Sequence, residues 1–378
     1  MNNTQFHYLT LSFLHPLSPA KARELLAFFD NDIEALLDPV RLAQVPNIRP
    51  ALPALLQSGQ PQRQAEAELR FIDDRQLGFS CLADEDYPRR LAACADAPLV
   101  LYRKGHCNLE ARRIVSIVGT RRFTAYGRQQ TEKLVAGLAR ACPDLLVVSG
   151  LASGIDGCAH RAALDNGLQT VGVLAHGLDQ IYPAQHWRLA GEMVRQGALL
   201  SEFPHGTLPF AANFVQRNRI VAGLCDACIV IESAEKGGSL ITARLARDYD
   251  REVFALPGRN IDPCSRGCNW LIKTQVAALF ETADDLLREM NWDLGRPQEA
   301  SQPSLFPTLE PSLAEILALM EEGQDYSLEE LMALRQQSRQ KRGEQPARGN
   351  IGELLGQMMQ LELAGAVISL SGGRYRLA

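Results

Sequence analysis

The sequence has no run of about 18 apolar residues, so it offers no membrane-spanning helix. It opens without a basic cluster: MNNTQFHYLTLSFLHPL lacks Lys and Arg, and His15-Pro16 breaks its apolar stretch, so no signal peptide is read. Excess positive charge is missing as well. The formal net charge is −5, so the molecule as a whole is not a non-specific polyanion binder, and any nucleic-acid site must be a local basic patch on an acidic body. The nine cysteines are odd in number and scattered, the usage of a cytoplasmic chain with reduced thiols rather than of a disulfide framework. No G-x-x-x-x-G-K-[ST] occurs, which excludes a Walker-type ATPase, and no G-x-S-x-G elbow presents a nucleophile.

What is present is ordinary in bulk and patterned in detail. At 378 residues, with 46% hydrophobic and 22% charged side chains, the chain is long enough for two or three domains with a sizeable core. Residues 1–105 are rich in Leu, Ala and Pro with helical periodicity, which reads either as a SAM-like or helix-hairpin-helix domain or as a helical cap without activity. Residues 106–292 alternate short apolar runs (RIVSIVG, DLLVVSG, TVGVLA, ALLSEF, ACIVIES, EVFALPG) with helical patterns. That alternation predicts an α/β, doubly wound, extended Rossmann-like domain with a parallel sheet covered on both faces. Residues 293–311 form a polar, proline-rich linker. Residues 312–378 read as three helices and a hairpin turning at Gly372-Gly373, the plan of a winged helix. The third of those helices carries Glu353 and Glu362 and no Lys or Arg, which favours a protein contact or a structural role over base readout. The basic stretch from Arg335 to Arg348 reads as a solvated loop.

Ligands of a doubly wound sheet bind beyond the carboxyl ends of its strands. Here those ends carry Gly119-Thr120-Arg121-Arg122, then Ser149-Gly150 with Gly154 and Asp156, then His176-Gly177 with Tyr182, and finally Lys236-Gly237-Gly238-Ser239. Glycines let backbone N–H groups approach an anion, and helices that begin there add their positive ends. Asp156 and Ser239 are placed near helix caps by their spacing. A nicotinamide cofactor needs three closely spaced glycines and a later acidic residue, and neither is in register, so no cofactor is expected. Paired guanidiniums at Arg121 and Arg122, with Arg217 and Arg219 nearby, suit a polyanion better. Phe210, Phe214 and Tyr182 in the same rim could stack bases or pack in the core. Arg217 and Arg219 could contact phosphate or pair with Glu202 or Glu232. His160 reads as a structural histidine, and the Cys225-x-x-Cys228 and Cys264-x-x-x-Cys268 pairs as core thiols rather than metal ligands.

The motifs VGTRRFTAYG, SGLASGIDGCAH, LAHGLDQIYPAQH, FVQRNRIVAGL, KGGSLITA, VFALPG and GCNWLI follow one another between Val118 and Ile272. In this order the sequence resembles the bacterial DNA-processing protein A family, DprA or Smf. The resemblance implies a binding protein rather than an enzyme. It would engage single-stranded DNA without marked sequence preference, protect strands taken up in natural transformation and load the RecA recombinase on them. It also implies a homodimer formed through the Rossmann-like domain. Carried over by motif, Arg121 and the Arg217-Asn218-Arg219 loop would line the DNA pocket. Lys236 would lie nearby, and Gly119, Ser149, Gly150 and Gly154 would supply backbone and hydroxyl contacts. Thr120, Arg122, Phe214, Gly237, Gly238 and Ser239 complete the expected DNA-binding set. His176 departs from the family, where a smaller or acyclic residue is common. The alternative is a nucleotide-binding or phosphoribohydrolase enzyme of the LOG type. The P-G-G-x-G-T-x-x-E motif of that family is matched only at Gly237-Gly238, with Arg244 where its catalytic glutamate stands.

Overall fold

The computed structural model describes residues 2–292, 311–321, 324–341, 351–363, 366–370 and 373–377. Residues 293–310 of the expected linker, the basic stretch beyond Lys341 and Gly372 of the expected turn lie outside the described residues. By its contacts the chain divides into two units, Met1–Gly295 and Arg296–Ala378.

The first unit is built on one sheet of nine strands: β1 (Gly78–Cys81), β2 (Val100–Gly105), β3 (Ile114–Val118), β4 (Leu146–Ser149), β5 (Gln169–Val173), β6 (Ala198–Ser201), β7 (Ala227–Val230), β8 (Glu252–Ala255) and β9 (Ala278–Leu279). Their order is β1-β2-β6-β5-β4-β3-β7-β8-β9. All neighbours from β6 to β9 pair in parallel. The six apolar runs read from the sequence are β3 to β8. β3, β4, β6 and β7 are buried along their whole length, as a sheet covered on both faces requires. Ile114, Val148, Val171 and Val230 face Ile220, Leu240 and Leu271 from the Ala211–Leu224, Ser239–Asp248 and Arg266–Lys273 helices. Val115, Ile117 and Val147 face Leu134, Val135, Ile155 and Ala159 from the Ala125–Ala141 and Ile155–Asp165 helices on the other side.

The N-terminal region is not wholly helical. Six helices, from Asn3–Ser12 to Gln60–Asp74, are followed by β1 and β2, which extend the sheet: β2 pairs antiparallel with β6, and β1 antiparallel with β2. GFSC and VLYRKG are short and do not alternate cleanly, so periodicity hides them. Their pairing is secured by burial of Cys81, Val100 and Tyr102 against the N-terminal helices and Leu199. The loop 202–210 is tied to the same helices: Glu68, itself buried, accepts from the His205 N–H at 3.1 Å and meets the ring Nδ1 at 2.5 Å.

The second unit has helices Pro311–Leu317, Leu328–Lys341 and Ile351–Leu363. It also has β10 (Tyr326–Ser327), β11 (Val367–Leu370) and β12 (Arg374–Leu377). β12 lies in the middle of this small antiparallel sheet, and β10, a strand absent from the sequence reading, supplies its other edge. Ile316, Leu331, Met358, Leu361 and Val367 form its core.

Phe254 on β8 is 1% exposed and meets Phe280 edge-on, with ring centroids 6.5 Å apart. Phe254→Ala therefore opens a void in the β7–β8 side of the core and should cost about 3–5 kcal/mol. Urea denaturation followed by far-UV circular dichroism checks this, and an unchanged midpoint would remove Phe254 from the core.

Candidate nucleic-acid cleft

The chain runs outward from β3 through β6, then crosses back to β7 and continues to β9. β3 and β7 are thus neighbours whose connections leave in opposite directions, and a crevice opens at their carboxyl ends. A cleft of about 460 Å³ occupies this place. Gly119, Thr120, Arg121, Gly150, Phe214, Arg217, Asn218, Gly237, Gly238 and Ser239, all expected from the sequence, line it.

Backbone hydrogen bonds fix the loop after β3. The Thr120 N–H donates to the Glu232 carbonyl at 2.7 Å, and the Thr120 carbonyl accepts from the Ile155 N–H at 3.2 Å. Gly154, with φ of 94°, lies so close to this crossing that a Cβ there would run into the Thr120 carbonyl. Glycine is needed both for the left-handed backbone and for the approach. Glu232 is buried and holds the far end of the loop. Its carboxylate accepts from the Thr124 N–H at 2.9 Å and from the Thr124 hydroxyl at 2.5 Å, while Thr124 caps the Ala125–Ala141 helix. Arg121 and Arg122 sit between these anchors, both exposed.

FVQRNRI is part of the Ala211–Leu224 helix, not a loop. Helical spacing puts Phe214, Arg217, Asn218 and Val221 on one face, and all four line the cleft. Arg219 lies about 200° around the helix from Arg217. It is buried and paired with Glu202, away from the lining residues. Arg217 is also buried, 3% exposed, and its guanidinium donates to the carbonyls of Gly150 and Val173 at the ends of β4 and β5. Gly150 packs directly on that guanidinium, leaving no room for a Cβ. Burial lowers the Arg217 pKa to about 10, against the opposing pull of Asp156, so it remains a cation at neutral pH.

Asp156 is the carboxylate of the cleft. It is buried in the first turn of the Ile155–Asp165 helix and accepts from the N–H groups of Ala152 and Gly150. Burial raises its pKa, while Arg217, those N–H groups and Arg121 act the other way. Phe214 lies against the buried guanidinium, with the Arg217 Cζ 5.9 Å from its ring centroid. The Arg121 Cζ lies 5.1 Å from its ring centroid and Tyr182 meets it edge-on at 5.7 Å. Arg121 forms no ion pair among the described residues.

Ser239 corrects the expected cap. The residue before the Ser239–Asp248 helix is Gly238, no side chain caps the helix, and the Ser239 hydroxyl donates to Ser233 Oγ at 2.9 Å. Two N–H groups of the first turn of this helix, those of Leu240 and Ile241, donate instead to the Gly237 and Gly238 carbonyls, each at 3.1 Å. Ser149 is fully buried and its hydroxyl donates to the Ile117 carbonyl at 2.6 Å, so it ties β4 to β3. Lys236 and Arg122 are exposed and are not among the lining residues. Ala152, Ile241 and Thr242 line the cleft without any signal in their residue type.

Two expected bystanders are core groups. His160 is buried, with Nδ1 2.7 Å from Thr170 Oγ1, and burial depresses its pKa from 6.5 to about 3. Burial pushes the Cys225 thiol up to about 11, and Cys228 shifts in the same direction. Groups of three or more His, Cys, Asp or Glu placed to hold a metal do not occur among the described residues.

The model of the family described as DNA recombination-mediator protein A matches residues 78–291. The Smf protein of Escherichia coli is 35% identical over 322 residues, covering 84% of this chain and 82% of that one. The X-ray structure of DNA processing protein A (DprA) from Streptococcus pneumoniae matches with a TM-score of 0.67 and 33% identity, over 76% of this chain and 99% of its own. DNA processing protein A from Helicobacter pylori, solved for its single-stranded DNA binding mode, matches with a TM-score of 0.52 and 31% identity, over 58% of this chain and 97% of its own.

Two stability measurements follow from this geometry. Arg217→Met leaves two strand-end carbonyls and Asp156 without their cation and should cost about 3–5 kcal/mol, whereas the exposed Arg121→Ala should stay within about 0.5 kcal/mol. Equal melting temperatures for the two variants would contradict the buried-cation account. His160, neutral when folded down to about pH 3 against 6.5 when unfolded, stabilises the fold fully above pH 6.5 and loses that contribution as pH falls toward 3. Its share of the slope is about 1.4 kcal/mol per pH unit. His160→Gln should therefore flatten the acid limb of stability against pH, and an unaltered limb would contradict it.

Proposed function

The chain belongs to the DNA recombination-mediator protein A family, and we propose that it binds single-stranded DNA in the cleft between β3 and β7. The observation that carries this reading is Arg121: an exposed guanidinium without an ion pair among the described residues, stacked on Phe214 at the mouth of a glycine-lined cleft. A guanidinium held this way can fork onto a phosphate while the ring beside it takes a base. The start of the Ser239–Asp248 helix, at the cleft lining, turns the positive end of its dipole toward the same anion. Arg122 and Lys236, exposed on the adjoining loops, extend the positive field along the strand.

The remaining expected residues act by holding this surface. Arg217 anchors the ends of β4 and β5, Ser149 and Gly154 set the loop crossings, and Arg219 is occupied by Glu202. Arg219 is neutralised by Glu202, and Arg217 is buried on two carbonyls with the Asp156 charge acting on it, so the attraction for phosphate comes from Arg121, Arg122 and Lys236.

In the cell the protein would shield single strands and help load RecA on them, as a homodimer in the cytoplasm. The family supports this reading, as does a chain whose nine cysteines are all free and whose described helices are too short or too polar to span a membrane. A binding role is favoured over nucleotide hydrolysis at the Gly237-Gly238 turn. Arg244, where a catalytic glutamate would stand, lies on Trp270 with its Cζ 5.0 Å from the ring centroid.

Arg121→Ala should weaken binding of a labelled oligo-dT by about 1.5–3 kcal/mol, read by fluorescence anisotropy. Wild-type affinity in the folded variant would take Arg121 out of the site and with it the central support for this reading.

A further inference from the structure

Phe214 and Tyr182 are aromatics of the cleft, and the carboxyl rim exposes several more. Seven aromatic side chains are exposed among the described residues, and five of them, Phe123, Tyr126, Tyr182, Trp187 and Phe210, follow the carboxyl ends of β3, β5 and β6. Rings left uncovered on one rim are informative in a way that a single exposed leucine is not. Trp187 and Phe210 are the most open, each 62% exposed.

Trp187 is held in place beside the cleft. The loop after β5 ends in a short helix, Ala184–His186, that leans on the cleft-lining segment after β4. Gln185 donates to Ser153 Oγ at 3.0 Å, and His186 Nδ1 lies 3.0 Å from the Leu151 carbonyl. Trp187 then opens the Trp187–Gln196 helix, whose start lies at the carboxyl rim as in any β-α-β unit. The next residue, Arg188, places its Cζ 5.3 Å from the Trp187 ring centroid. This repeats the Arg121–Phe214 pair of the cleft, at 5.1 Å. Tyr182, on the same loop as Trp187 and five residues before it, touches Phe214 and lines the cleft.

Building on the single-strand reading of the cleft, we propose that the bound strand continues out over Tyr182 and stacks a further base on Trp187, with Arg188 on the adjoining phosphate. The occupant is the strand already in the cleft, because the loop that carries Trp187 also supplies Tyr182 to the cleft and is tied to its Leu151–Ser153 segment, and because Trp187 and Arg188 repeat the cleft's ring-and-guanidinium chemistry. Stacking on a ring is indifferent to base identity, which suits a strand of any sequence. The cleft alone would hold a short oligonucleotide. The extension adds affinity only when the strand is long enough to reach Trp187.

Anisotropy with labelled oligo-dT of about 4 and about 16 nucleotides separates the two. Trp187→Ala should weaken the longer strand about tenfold and leave the shorter one unchanged. Trp187→Phe should restore most of the loss. In a Trp270→Phe/Trp292→Phe background, the remaining Trp187 fluorescence should be quenched by the longer strand and not by the shorter. Wild-type affinity of Trp187→Ala at both lengths, with Arg121→Ala still weakened at both, would overturn the extension and leave the cleft reading standing. Failure of the wild type to bind either length would overturn the cleft reading and the extension with it.

Discussion

A guanidinium shut beneath the cleft sets the terms for the surface above it. Arg217 bonds the carbonyls that end β4 and β5, groups that would otherwise be left without partners at the edge of a buried sheet. A buried cation in turn demands a counter-charge, and Asp156 supplies it from the first turn of a helix that starts in the same loop. The closeness of Gly150 to the guanidinium and of Gly154 to the Thr120 carbonyl follows from the same crowding. Strand ends, glycines and helix start are thus one packed unit, and Arg121, exposed on the Phe214 ring, is left outside it.

This division between fixed and free cations reconciles an acidic protein with a polyanion site. The net charge of −5 opposes general adsorption of nucleic acid, while in the proposed site a few uncommitted side chains at one cleft would attract it locally. Binding of this kind should carry a shallow salt dependence, since few counterions are released. It should also favour single strands, whose bases are free to meet the rings at the rim, over duplexes whose bases are stacked on each other.

Much of this was legible in the sequence. Six apolar runs became six strands because β-branched runs between helical repeats have few other places to go, and the strand ends named the cleft. What failed to show were features decided by three-dimensional neighbours. β1 and β2 are short strands that exist because β6 offers an edge and the N-terminal helices cover them. Arg217 and Arg219 look alike in FVQRNRI, yet about half a turn of helix separates them and sends the first under the cleft and the second to Glu202. Ser239 has a cap residue's identity, but Ser233 takes its hydroxyl. Trp187 had a legible signal, an aromatic–arginine pair at the start of a helix on the binding rim, which only its exposure makes meaningful.

The central claim is that this cleft discriminates single strands through a few local contacts. It is tested most directly by competing a labelled oligo-dT off the intact protein with unlabelled single strand and with duplex of equal length, at two salt concentrations. The account predicts displacement by single strand at far lower concentration than by duplex, with an affinity that falls only modestly as salt rises. Equal competition by duplex, or no binding of the labelled strand, would contradict it.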